Sequence, residues 1–307
     1  MNHPMIRRVM LSVMFSMISA HTGLALTALD TSTVNKSVVF LFSNDSAGAP
    51  NTQVATGFLI NVPDQSGHRA YYSLITVRHV VDPVWLGCST ANPSRFFVRV
   101  NNKNFDPKSD KIGVSYFPID LIHDGAPTWL KSDDDDVDLA VLPPPPELLS
   151  GNYDVILMNF RNFGKPDEIA KLGVGSQIAS SGLVPGLEGK KRNYPVFKFG
   201  KIASIPDEEV LVPCPGRPDV KPRALHVWWL NADLIGGNSG SPIYFDPLFP
   251  PGGDISAGEP RAMIIGMQSV ALPGAALAGM TPASYIIDVI SHTVPNDADL
   301  TLGSPPK

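Results

Sequence analysis

Cysteine is scarce in this chain of 307 residues: there are two, Cys88 and Cys214. That excludes a disulfide-stapled scaffold. No spacing of Cys or His resembles a zinc site, and there is no His-Glu-x-x-His, so the sequence offers no metal or organic cofactor motif. Charge is also sparse, at 17 % of residues, with a formal net of −5. A mildly acidic body argues against nucleic acid as a partner. After residue 28 no stretch is long and apolar enough to span a membrane, and no internal repeat is visible. Aromatic residues are moderate, at 8 %.

What is abundant is proline, with 30 residues, and glycine, with 26. With 43 % hydrophobic residues, this mix favours many short strands joined by long loops over a helical bundle. The length suits two compact units or one large β domain. The first residues read as a signal. Arg7 and Arg8 precede an apolar run, Val9 to Leu26, with small residues near Ala20, Ala25 and Ala28. The alternative is a retained anchor helix. The Arg-Arg pair also partly matches a twin-arginine signal. Loss of residues 1–28 takes the net charge to −7. The expected location is therefore secreted or periplasmic, with no membrane span after signal removal. Export permits a disulfide between Cys88 and Cys214; two free buried thiols are the alternative.

From Val38 onward the text reads as strands. Ser37–Ser43, Thr56–Asn61, Tyr71–Val77, Arg95–Asn101 and Asp138–Leu142 form a first set, stopped by the prolines 143–146. Gly175–Ala179, Val196–Ser204, Ala224–Leu230, Gly240–Phe245 and Arg261–Val270 form a second. A helix over 282–291 is expected, with Thr281 as cap and Pro282 at its first position. Ile286, Ile287 and Ile290 give it an apolar face. The expected organisation is all-β with two antiparallel units: signal 1–28, first unit 29–150, connector 151–170, second unit 171–291 with the helix, and a flexible tail 292–307.

Three segments carry chemistry. Gly236-Gly-Asn-Ser-Gly-Ser-Pro242 surrounds Ser239 with glycines that permit unusual backbone angles. A serine hydroxyl needs a base and oxyanion donors, and the N–H groups of Gly237 and Ser239 are candidates for the latter. Leu74-Ile-Thr-Val-Arg-His-Val-Val81 puts His79 at the end of an apolar strand, a setting the other six of the seven histidines lack. Asp133-Asp-Asp-Asp-Val-Asp-Leu-Ala-Val-Leu142 is a solvated acidic loop that ends in Asp138, immediately before a buried-looking strand. Asp136 is the rival, on the same strand face. A buried carboxylate beside a histidine fixes its tautomer.

The order His79, Asp138, Ser239 with Gly-Asn-Ser-Gly-Ser-Pro resembles the trypsin-like serine peptidase family, in its few-cysteine bacterial and viral branches. Thr56-Gly-Phe-Leu-Ile, Gly200-Lys-Ile-Ala-Ser, Ile264-Ile-Gly-Met-Gln-Ser and Pro282-Ala-Ser-Tyr-Ile are similar to further family segments. The resemblance implies two six-stranded-type antiparallel β-barrels with a C-terminal helix. It also implies endopeptidase activity on protein or peptide substrates and no cofactor. His79, Asp138 and Ser239 take the triad roles, and Gly237 and Ser239 the oxyanion hole. By the same resemblance Asp233, six residues before Ser239, contributes to the primary specificity pocket with Ser269 and Val270, and an acid there selects Lys or Arg; a surface acid is the other reading.

The chain departs from the pattern at Val77-Arg78, where small residues are usual, and at Ser241, where glycine is common. Two competing classes are a catalytically inactive protease-fold binding protein and an α/β-hydrolase-type esterase. Ser241 breaks the Gly-x-Ser-x-Gly elbow of the latter, and the acid and histidine precede the serine instead of following it.

Overall fold

The computed structural model describes residues 31–303 apart from 91, 215–216, 218, 246–261 and 273. The expected export signal lies outside the described residues. The first half begins with a short helix, α1 (Thr31–Ser37). There follow β1 (Val38–Asn44), β2 (Pro50–Pro63), β3 (Ala70–Thr76), β4 (Arg95–Asn101), β5 (Val114–Asp120), the two-residue pair β6 (Ile122–His123) and β7 (Ala126–Pro127), β8 (Ala140–Leu142) and β9 (Met158–Asn159). A single helical turn, α2 (Arg78–Val81), follows β3. The sheet runs β5-β4-β1-β2-β3-β8, with β9 parallel to β2 as its seventh strand.

Its edges meet through irregular backbone instead of a ladder. The N–H of Thr128 donates to Leu121 O (3.0 Å), and Leu130 and Val141 exchange both bonds (2.8 and 2.9 Å). The first unit is thus a curled sheet whose ring is completed by one loop. Period-two alternation explains its packing. Leu59 of β2 fills the sheet's interior with Val39, Leu41 and Leu74. Phe58, Ile60 and Val62 face the other way, into a core shared with Ala179, Tyr244, Ile264 and Met267 of the second half. Both faces of β2 are buried for that reason, which is why its text is an apolar run.

The connector carries a helical turn, α3 (Pro166–Ile169). The second half contains β10 (Gln177–Gly182), β11 (Val196–Ser204), β12 (Val210–Val212), β13 (Arg223–Leu225), β14 (Trp228–Asn231), β15 (Pro242–Phe245), β16 (Met263–Leu272), β17 (Leu277–Pro282) and the closing helix α4 (Ala283–Thr293). Six of these strands close a barrel in the order β10-β11-β14-β17-β16-β15. Ile178, Ile202, Leu230, Ile243, Ile265 and Met280 fill it. The expected strand Ala224–Leu230 is divided: β12 and β13 form a separate hairpin, and β14 starts at Trp228. The break falls at His226, whose N–H donates to Asp136 O (3.1 Å) in the first half instead of to a barrel neighbour.

The C-terminal helix forms, one residue later than expected. Pro282 precedes its first turn, and Thr281 does not cap it; the Thr281 hydroxyl donates to the Asp138 carbonyl (3.3 Å). The tail expected to be flexible is docked over 297–299. Gln65 N–H donates to Asp297 O (2.8 Å), and Asp299 N–H to Pro63 O (2.7 Å). The Asp297 carboxylate accepts from Arg69 (2.7 Å) and the Tyr71 hydroxyl (2.6 Å), and Arg161 pairs with Asp299. Burial, reinforced by Asp297, pushes the Tyr71 phenol up to about 12. Composition alone suggested a free end; specific acid partners hold it. No helix among the described residues is long and apolar enough to cross a membrane.

Candidate active site

The antiparallel register sets the first contact. Leu74, Ile75 and Thr76 of β3 pair with Leu142, Val141 and Ala140 of β8. Continuing that register brings Asp138 level with Arg78, beside His79. Asp138 is 1 % exposed and holds both parts of the histidine. One carboxylate oxygen accepts the His79 backbone N–H (3.0 Å), and the other meets Nδ1 (2.7 Å). A carboxylate only accepts, so Nδ1 carries the proton of the neutral ring and Nε2 keeps its lone pair. Burial works to lower the His79 pKa, but the Asp138 charge and hydrogen bond outweigh it, and the net shift is upward from 6.5.

The serine loop lies between β14 and β15 and docks on the first half through Thr56. Thr56 N–H donates to Ser239 O (2.8 Å), and its hydroxyl donates to Gly237 O (2.9 Å). The same hydroxyl accepts from Leu183 N–H (2.9 Å). Thr76 Oγ1, three residues before His79, donates to Thr56 O (2.8 Å). The loop's backbone is therefore tied to the strand ends that carry His79. Gly237 and Gly240 have φ of +92° and +86°, in the region that favours glycine. At Gly240 a Cβ would also lie 2.0 Å from Thr56 O. Asn238 braces the turn: its Oδ1 accepts from Ile235 N–H (3.1 Å) and its Nδ2 donates to Leu183 O (2.5 Å).

The N–H groups of Asn238, Gly240 and Ser241 donate to Ile235, Gln268 and Asn238 carbonyls. Among the described residues those of Gly237 and Ser239 have no backbone acceptor. Gly236 N–H also has none, so the backbone from Gly236 to Ser239 offers three N–H groups that are not used within the backbone. Ser239 is 9 % exposed and the His79 side chain 22 %, so the site meets solvent at its edge.

Asp136 turns away from His79. Its carboxylate lies 3.6 Å from Arg223, and its carbonyl accepts from His226. Two other members of the acidic run, expected to be solvated, have side-chain partners. Asp134 lies 3.1 Å from His226 Nε2. Asp135 accepts from Arg78 (2.7 Å), Lys131 (2.9 Å) and Arg223 (2.9 Å), and the hydrogen bonds and charges of Arg78 and Lys131 hold its carboxyl well below the usual range. The unusual Arg78 is thereby explained: buried, its guanidinium lies over Trp85 at 4.5 Å and its charge is met by Asp135 and Asp82. Nothing in the local text pointed to these roles of Thr56, Trp85 or Arg223, because their partners lie far away in sequence.

Asp233 is exposed, and its carbonyl accepts from Lys198 Nζ. Burial lowers the Lys198 ammonium pKa, with Asp233 acting to raise it. Ser269 is buried, with Oγ 3.5 Å from Gly279 O. Val270 packs against Trp85, Val212, Leu225 and Val227. Cys88 and Cys214 form a disulfide with Cα atoms 5.7 Å apart, joining the loop after α2 to the segment after β12.

No family model matches the chain, and no curated protein matches it. Among solved structures it is similar to the MamO protease domain from Magnetospirillum magneticum in its apo form. The identity is 17 % and the TM-score 0.48, over 86 % of this chain and 98 % of that one. It is also similar to the Rv3671c protease from M. tuberculosis, at 16 % identity and TM-score 0.43 for the active form, over 95 % and 96 % of the two chains. The inactive form gives 19 % and 0.40, over 88 % and 98 %.

Proposed function

We propose that this chain is an exported serine endopeptidase with Ser239 as nucleophile, His79 as general base and Asp138 as the group that orients the base. The observation that carries this reading is the buried Asp138 carboxylate bound to both the N–H and Nδ1 of His79. The serine loop bonded to the same strand ends supports it. Ser239 Oγ attacks a peptide carbonyl while Nε2 of His79 takes its proton. The carbonyl electrons move to the oxygen, held by the N–H groups of Gly237 and Ser239. The tetrahedral intermediate collapses, the amine leaves with the proton from His79, and water repeats the sequence on the acyl-enzyme. The imidazolium formed in each half is stabilised by Asp138. The chain needs no cofactor for these steps.

Purified protein tested on an unstructured polypeptide should release internal fragments. The acid limb of kcat/KM reports the free-enzyme base. Only neutral imidazole accepts the proton, and the His79 pKa is raised, so that limb should lie above the ordinary value of 6.5. The same shift makes His79 protonation favour the fold at low pH, a contribution lost as pH rises through the folded pKa. An acid limb below the ordinary imidazole range would contradict the assigned base.

Primary specificity is proposed to involve Asp233, with Ser269 and Val270 of β16. The Asp233 side chain is exposed and near Lys198, so its preference for Lys or Arg should be weak. An exposed charge pair contributes up to about 1 kcal/mol. Asp233→Ser should thus reduce cleavage after Lys or Arg, relative to Leu, by no more than about fivefold. A peptide library digested by both proteins decides it, and identical profiles would remove Asp233 from the pocket.

A further inference from the structure

A cavity of about 670 Å³ opens where α1, the ends of β1 and β4, and the loops 102–113 and 186–195 meet. No residue of the triad or the serine loop lines it. Its volume is that of sites that enclose a small ligand or a few residues of peptide. The two loops are already joined. Lys191 Nζ donates to Ser109 O (2.7 Å), and Gly113 N–H to Lys191 O (2.9 Å). Buried Arg99 donates to Gly189 O (2.7 Å), fixing the second loop on β4.

Charge concentrates here. Loop 102–113 carries three lysines against two aspartates, and loop 186–195 carries Lys190, Lys191 and Arg192 against Glu188. With Lys36 and Asp154 of the lining included, the local excess is three positive charges on a chain whose net is −5. Asp154 sits between Lys36 (2.9 Å) and Arg192 (3.2 Å) and holds both cations at the wall. It balances one of them. Arg192 is further fixed over the Phe105 ring at 5.3 Å. Val38 and Val100 supply an apolar floor.

Beneath the lining lies an unmet acceptor. Asn193 is 5 % exposed. Its backbone N–H donates to Asn101 Oδ1 (2.7 Å), and its Nδ2 donates to Arg99 O (2.8 Å). Those bonds fix which way the amide faces, and its Oδ1 is left without a partner. That oxygen is itself buried, so it belongs to the packing of the two loops and not to the cavity wall.

A carboxylate with an apolar side chain two bonds away describes the last residue of a polypeptide. We infer that this cavity is a second binding site, which takes the C-terminal residue of a peptide. Its carboxylate faces Lys36 and Arg192, and its apolar side chain rests on Val38, Val100 and Phe105. The inference stands apart from the proposed peptidase activity, since none of its residues belongs to the triad. The loop that forms the site does begin beside the serine turn, where Leu183 O accepts from Asn238 and the Pro185 ring abuts Gly237.

Fluorescence anisotropy on full chain carrying Ser239→Ala tests this without cleavage of the probe. The probes are an N-terminally labelled hexapeptide ending in Leu with a free carboxylate, and the same peptide as its amide. The free acid should bind at least about tenfold tighter, as one charge-assisted bond predicts. Lys36→Gln, a surface change, and Lys36→Gln with Arg192→Gln should each weaken the acid and not the amide. Equal binding of acid and amide overturns the inference. So does an affinity indifferent to both variants, which would place the peptide in the catalytic cleft. Equal competition by inorganic phosphate would reveal an unselective anion patch and overturn it as well.

Discussion

Ser239→Ala is expected to lower kcat by about six orders of magnitude while leaving the fold intact. The loop carries a second hydroxyl, Ser241, but it is fully buried while Ser239 reaches the solvent edge, and Asn238 is consumed by bonds to Ile235 and Leu183. His79→Ala should cost about as much, because a serine without a base is as ineffective as a base without a serine. The double variant should be little worse than either single one. That non-additivity is the informative part. Two independent contributions would multiply, whereas a nucleophile and its base fail together. Steady-state kinetics of the three variants, with thermal unfolding to confirm the fold, supply the comparison. A double variant far below both singles would mean that Ser239 and His79 do not act in one step.

The second large effect belongs to Asp138. Asp138→Asn should reduce kcat by roughly four orders of magnitude. The amide keeps the shape, but to satisfy its NH₂ the ring must present a lone pair at Nδ1, which moves the proton to Nε2 and removes the base. The His79 pKa should fall at the same time, because the charge that raises it is gone. Asp136→Asn should leave kcat and its acid limb unchanged, since that carboxylate faces Arg223 and its carbonyl serves His226. A reversed outcome, with Asp136 the sensitive position, would reassign the third member.

The strands and the two halves were largely legible, for a physical reason. The doubly buried β2 reads as an apolar run, so its text reports its burial. Arg95–Asn101 alternates in text but is buried throughout its middle, because Arg99 is covered by the 186–195 loop and donates to Gly189 O. What the text misled on was set by distant partners. The strand expected over Ala224–Leu230 breaks at His226 because Asp136 and Asp134 hold it from the first half. The tail is docked because Arg69, Tyr71 and Arg161 await its acids. Thr281 reads as a cap, yet its hydroxyl is taken by Asp138 O. In the site, His79 and Asp138 were visible as polar residues at the ends of apolar strands, and Ser239 as a serine among glycines. Thr56 was legible as the start of an apolar strand, but its clamp on the serine loop from 181 residues away was not. Nor was the stack of Arg78 and Arg223 on Trp85, which ties the acidic loop to the second half.

The central claim is that Ser239 is a nucleophile activated by His79, and covalent labelling tests it most directly. Purified protein treated with a fluorophosphonate, which reacts with activated serines and not with ordinary hydroxyls, should gain the mass of one adduct. Peptide mapping should place that adduct on Ser239, and His79→Ala should abolish it. A folded protein that stays unlabelled, or carries its adduct on another residue, would contradict the account.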